Sequence, residues 1–93
     1  MNKGDTVVVK KLKDIYKEFP GDIIENGAFG RLIARGNVAL NEHKAEECCG
    51  KVGKVLIVNH SMRNAYVWFG DRAHFFHCDW LIKSDEDGNY LLF

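Results

Sequence analysis

Charge of one sign is what this chain lacks first. Thirteen lysine and arginine residues stand against thirteen aspartate and glutamate residues, a formal net charge of zero. A domain that grips nucleic acid chiefly through phosphates carries an excess of cations, because each neutralised phosphate releases counterions. That signature is missing overall, and the halves differ little: residues 1 to 40 hold seven basic and five acidic side chains, residues 41 to 93 six and eight. A long hydrophobic run is also missing. Met1-Asn2-Lys3-Gly4-Asp5 leads straight into valines with no apolar signal core, and no stretch reaches membrane-spanning length. A soluble, unexported protein with no membrane partner is expected. Cysteine is scarce and awkwardly placed. Pairing Cys48 with its neighbour Cys49 would close a strained ring and leave Cys78 over, so reduced thiols in a cytoplasm fit better than a disulfide framework.

What is present belongs to a folded globule. The hydrophobic fraction is 46% and the aromatic fraction 12%, while 93 residues suffice for one modest core and not for separate cofactor and substrate halves. A single domain spanning residues 1–93 follows. Thr6-Val7-Val8-Val9 is a β-branched run too short for a helix, and predicts the first strand. From Leu12 the period changes. Leu12, Ile15, Tyr16 and Phe19 recur at helical spacing until the lone proline, Pro20, with Gly21, stops the chain. Residues 21 to 40 mix glycines with apolar runs of two or three residues and leave strand and loop equally open. Asn41 is placed to cap a short helix over Glu42 to Cys49, with Gly50 as its left-handed stop. Gly50 to Val58 reads as the strongest strand, Asn59 to Asn64 as a loop, and Ala65 to Phe69 with Ala73 to His77 as a hairpin turning at Gly70-Asp71-Arg72.

The order "GDTVVV", a long excursion, "GKVGKVLIV", "YVWFGDRAHFFH" and "CDWLIKS" resembles an SH3-like small β-barrel of the bacterial, KOW-like or photosystem-accessory type. The likeness covers residues 4 to 10 and 50 to 84. It implies a mainly β fold: a barrel of about five strands whose long first loop, an insertion of about 11–49, carries one or two short helices. Such barrels share no single activity, so the likeness implies none. It does imply a face assignment. With Val67, Phe69 and Phe76 inside, the two-residue period sends Tyr66, Trp68, Phe75 and His77 outward. Burying such rings is worth roughly 1.5 to 3 kcal/mol each, so something is expected to cover them, either the excursion with its apolar stripe or a partner.

"HFFHCDW", residues 74 to 80, also invites chemistry. His74, His77 and Cys78 offer nitrogen and sulfur donors for a small zinc site, but a strand turns His74 and His77 to opposite sides, and structural zinc sites draw on paired ligands at knuckle or helix spacing. A Cys78 nucleophile needs an imidazole within reach and an oxyanion donor, which neighbours on an extended chain do not supply. The glycines of "GAFGR" and "RGN" are followed by no phosphate-loop lysine. Asp71, Asp79, Asp85, Glu86 and Asp87 lie where turns and tails put solvated carboxylates. No catalytic residue and no cofactor are expected.

Binding remains. The expected partner is a protein, docked through Tyr66, Trp68, Phe75, His77 and Trp80 by a small adaptor or inhibitor of the kind bacteria and their phages encode. A nucleic-acid reading uses Lys10, Lys11, Lys13, Lys17, Arg31 and Arg35, with aromatics to stack on unpaired bases; nearby Asp14, Glu18 and Asp22 blunt that cluster. The small zinc-binding protein is the third reading. The terminal Tyr90-Leu91-Leu92-Phe93 is expected to add a last strand, plug one end of the barrel or dock on another subunit.

Overall fold

Thr6–Val9 forms a strand, β1, because three consecutive valines fit a pleated surface and are stiff at χ1. In the computed structural model, which describes residues 1–26 and 30–91, the chain then leaves the sheet for some forty residues. The first part of this excursion is a helix, α1 (Leu12–Glu18), whose Ile15 is buried while Leu12 and Tyr16, with Phe19 just beyond the helix, pack against the core from its flank. A 3-10 turn over Pro20–Asp22 redirects the chain, with the proline at its first position where no amide hydrogen is needed.

The region left open between strand and loop is a second sheet. Strands β2 (Ile23–Asn26), β3 (Gly30–Arg35) and β4 (Val38–Asn41) form an antiparallel meander in the order β2-β3-β4. Arg35 pairs with Val38 across the two-residue turn Gly36-Asn37, and Gly36 takes the positive φ of 60° that such a turn requires. Gly27, Ala28 and Phe29 of the "GAFGR" stretch lie outside the described residues. Asn41 caps the next helix, α2 (Glu42–Cys48), as expected: its side-chain oxygen accepts from the Lys44 amide at 2.7 Å. Gly50 follows at φ 82°.

The chain re-enters the main sheet beside the point where it left, since the Val9 amide donates to the Lys51 carbonyl and the Gly50 amide to the Val9 carbonyl. Strands β5 (Val52–Asn59), β6 (Asn64–Trp68) and β7 (Ala73–His77) run as an antiparallel meander. A 3-10 turn at Cys78–Trp80 leads into β8 (Leu81–Lys83), which returns to pair with β1. The five-stranded sheet has the order β7-β6-β5-β1-β8.

The protein is therefore mainly β, with two antiparallel sheets and two short helices among the described residues. Two expectations are corrected. The five strands do not close into a barrel, since among the described residues β7 and β8 remain opposite edges of an open sheet. The excursion is also more than a loop with helices, because it carries a three-stranded sheet of its own. The two facts are linked through the core. Val7, Val9, Val55, Ala65, Val67, Phe76 and Leu81 from the main sheet share one cluster with Ile15, Ile33, Val38, Ala45 and Cys48 from the excursion, and Trp80 is wholly enclosed. A layer supplied by the excursion buries the face that closure would otherwise have buried.

Candidate functional site

The side of the main sheet away from the core is where the aromatic face was expected. Register sets its three cross-strand rows: Lys54, Trp68 and Ala73; Ile57, Tyr66 and Phe75; Asn59, Asn64 and His77. Phe75 is 52% exposed, Ile57 58% and Trp68 40%, and the Tyr66 and Phe75 rings lie 4.6 Å apart in a tilted pair. Across the sheet Val67 and Phe76 are buried, as the alternation predicts, and Phe69, just past β6, meets Phe76 edge-on at 5.7 Å.

Ile57 was missed by the sequence reading. Strict alternation from an inward Val55 turns residue 57 inward too, but the register slips between Val55 and Ile57, leaving Leu56 as an extra residue. The bulge moves Ile57 to the outer face and leaves both Leu56 and Ile57 exposed. Alternation carries no signal for it; the unbroken apolar run Val55-Leu56-Ile57-Val58 after Lys54 looks like any strand.

His77 and Trp80 are not on this surface and are withdrawn as docking residues. His77 does share the outer row, yet it is 5% exposed because the β3–β4 turn lies over it. A Cβ on Gly36 would come within 3.2 Å of the His77 ring, and Asn64 Nδ2 donates to Asn37 Oδ1 at 2.9 Å. Trp80 has no exposed surface, and its indole N–H donates to Asp22 Oδ2 at 3.0 Å. The same carboxylate accepts from Arg35 Nη1, whose Nε donates to Asp79 at 2.9 Å while the guanidinium stacks 4.4 Å over Phe19. Arg63 completes the group at 2.6 Å from Asp79. These bonds tie the excursion to the β7–β8 turn, so it covers only the His77 end of the outer face.

The far half of that face is covered by the chain's own tail. Glu86 accepts from Lys54 Nζ at 2.7 Å and from the Thr6 hydroxyl, both outward residues of a β1–β5 pair. Gly88 sits against Val52, where an added Cβ would fall 3.1 Å from a methyl group. Ser84 bridges to Tyr90, and the Leu91 amide donates to the Lys83 carbonyl. Leu92 and Phe93 lie outside the described residues. Among the described residues, the Ile57–Tyr66–Phe75 row stays open between tail and excursion, and a hollow of about 560 Å³ lies between it and β4, lined by Val38, Leu40, Ile57, Asn64, His74 and Phe75 among others.

The six candidate cations are not a shared patch. Lys10 pairs with Glu18 at 2.6 Å and Arg31 with Glu25 at 3.0 Å, while Arg35 is committed to Asp22 and Asp79. Lys11, Lys13 and Lys17 are exposed and make no ion pair among the described residues.

His74, His77 and Cys78 do not converge either. His74 faces the core opposite Val67 and His77 the other side, and among the described residues no three His, Cys, Asp or Glu side chains gather where they could hold an ion. The thiols are poorly placed as nucleophiles. Burial pushes the Cys49 thiol up to about 12, helped by neighbouring Cys48, and burial likewise raises Cys48 and Cys78. All three should therefore react slowly with a disulfide reagent at pH 8 and fast after denaturation. A thiol that is fast in the native state would revise this burial.

Burial disfavours the charged form of both histidines of "HFFHCDW". Burial lowers His77 against the pull of Asp79, with Arg35 and Arg63 adding to the lowering, and its Nδ1 accepts from the Asp79 amide at 3.1 Å. Burial lowers His74 as well, with Lys44 and Arg72 adding, and its Nε2 is enclosed without a partner. The unfolded chain then binds protons more readily than the folded one. Stability from these groups is complete above the unfolded histidine value of about 6.5 and is lost as pH falls through the lower folded values. Urea midpoints should fall from pH 7 to pH 5, and His77→Gln should flatten that slope. A midpoint independent of pH in this range contradicts the placement.

No family model matches the chain, and neither does any curated protein or solved structure. No helix among the described residues is long and apolar enough to cross a membrane.

Proposed function

We propose that the protein is a non-catalytic binding module, a small cytoplasmic adaptor or inhibitor that docks on another protein through Tyr66, Trp68 and Phe75, extended by Ile57. The observation that carries the reading is the uncovered row. Among the described residues, two segments of the chain reach the outer face, and Ile57 and Phe75 stay more than half exposed between them. Large aromatics left in contact with one another and with water are the usual anchors of protein interfaces. The order β7-β6-β5-β1-β8, with a 3-10 turn before the last strand, supports an SH3-like ancestry in which the excursion replaces closure.

Immobilised protein should capture its partner from a host extract, and Trp68→Ala with Phe75→Ala should abolish capture. Both side chains are half exposed, so the stability cost should be about 1 kcal/mol. A partner retained by the folded double variant removes these residues from the account. Tight binding of a labelled single strand that collapses as salt rises favours a nucleic-acid module instead.

A further inference from the structure

The hollow between β4 and Phe75 differs in chemistry from the surface around it. In a chain with 28% charged residues, its lining holds no aspartate, glutamate, lysine or arginine among the described residues. His74, the titratable group of the lining, is pushed toward its neutral form by burial. Part of the wall is apolar, from Val38, Leu40, Ile57 and Phe75, with Ile57 delivered there by the β5 bulge. The rest is amide. Asn37, Asn59 and Asn64 line the hollow, and each has committed only half of its side chain. Asn64 Nδ2 donates to Asn37 Oδ1 at 2.9 Å, while Asn59 Oδ1 accepts from the Ser61 hydroxyl and the Met62 amide, both at 3.0 Å. Asn64 Oδ1 and the Nδ2 groups of Asn37 and Asn59 are left without partners among the described residues. Asn64 is only 7% exposed, so its oxygen has little water to turn to. The volume of about 560 Å³ suits a small molecule and exceeds what a single side chain fills.

We infer that this hollow binds a free small molecule, an uncharged ring compound that carries a hydrogen-bond donor and acceptor side by side, as an aromatic carboxamide does. The ring lies against Ile57 and Phe75, its N–H reaches Asn64 Oδ1, and its carbonyl accepts from Nδ2 of Asn37 or Asn59. A carboxylate in the same place would meet donors but no cation, and an amidinium would meet one neutral acceptor and no carboxylate. Either would give up its hydration without a counter-charge. A bare hydrocarbon would leave the amides unmet. This site goes beyond docking on a protein and does not rest on it, although the ligand shares Ile57 and Phe75 with the docking row.

Benzamide, benzoate, benzamidinium and toluene, rings of one size that differ in the polar group, test the inference. Each is titrated at neutral pH into the isotope-labelled full chain, and the side-chain amide signals of Asn37, Asn59 and Asn64 are followed by nuclear magnetic resonance. Benzamide should shift them saturably, with a dissociation constant on the order of millimolar, and bind about tenfold more tightly than the other three. Asn64→Ala should weaken benzamide about tenfold. Because that residue is buried, Ile57→Asp gives a second test at a position 58% exposed, and it should turn the preference toward benzamidinium. Benzoate or benzamidinium binding the unaltered chain as well as benzamide overturns the uncharged class, and toluene doing so overturns the part given to the asparagines. No saturable shift with any of the four overturns the site. Trp68 lies outside the lining, so Trp68→Ala should leave benzamide affinity unchanged while weakening partner capture, and the two readings fail separately.

Discussion

Trp80→Ala should cost about 3 to 5 kcal/mol, the range for emptying a site filled by a large buried aromatic. Trp80 has no exposed surface, and its loss strips Asp22 of the indole donor at 3.0 Å. A domain of this size holds only about 5 to 15 kcal/mol in total, so the variant should lie near unfolding at room temperature. Urea denaturation monitored by circular dichroism measures the loss. Trp80→Phe separates the two contributions, keeping most of the ring volume while removing the N–H, and should sit between wild type and alanine. The contrast with Trp68 is the stronger test. Trp68→Ala should leave the urea midpoint nearly unchanged and act on partner affinity, whereas Trp80→Ala should act on folding. A folded Trp80→Ala protein with only its binding impaired would reverse the roles assigned to the two tryptophans.

Arg35→Ala should cost about 2 kcal/mol, less than the loss of one member of a fully buried ion pair, because the Arg35 side chain is 34% exposed. Its guanidinium bonds both Asp22 and Asp79 while stacking on Phe19. Asp22 is 7% exposed, so without Arg35 it keeps a buried charge with the indole as its one side-chain partner among the described residues. Lysine cannot present the two-pronged planar donor this geometry uses, and Arg35→Lys should recover little. Asp22→Asn in the Arg35→Ala background should recover part of the loss, because the buried charge goes with its partner. The double-mutant cycle reads the coupling directly. Additive losses would mean that the pair is not a unit.

The main sheet was legible because its strands announce themselves. Val7 to Val9, the run after Gly53 and the Tyr66–Phe76 hairpin are short runs rich in β-branched and aromatic residues, bounded by glycine or turn residues. The Asn41 cap was legible for the same reason, a local rule acting on a local group. The second sheet was not. Its apolar runs are two or three residues long, and they hold as strands through pairing with one another and burial of Ile33, which no window along the chain contains. Open rather than closed architecture follows from that hidden sheet. In the candidate site, parity put Trp68 and Phe75 outward correctly, and it put His77 on the outer row too. What covers that row depends on Gly36 and Asn37, forty residues away. Trp80 was misplaced for a related reason: its partners, Asp22 and Arg35, come from the excursion.

The hydrogen bonds joining Val9 to Gly50 and Lys51 close a long loop, which should bear on the rate of folding as well as on the shape. The β5–β6–β7 meander can assemble from neighbouring segments in microseconds. Strand β1 joins it only after some forty intervening residues are gathered into a ring, and the entropy of that closure is lost before any contact across it forms. The slow event in refolding should thus be the meeting of β1 with β5. Anything that shortens the ring without disturbing Ile15, Ile33 or Ala45 should speed it.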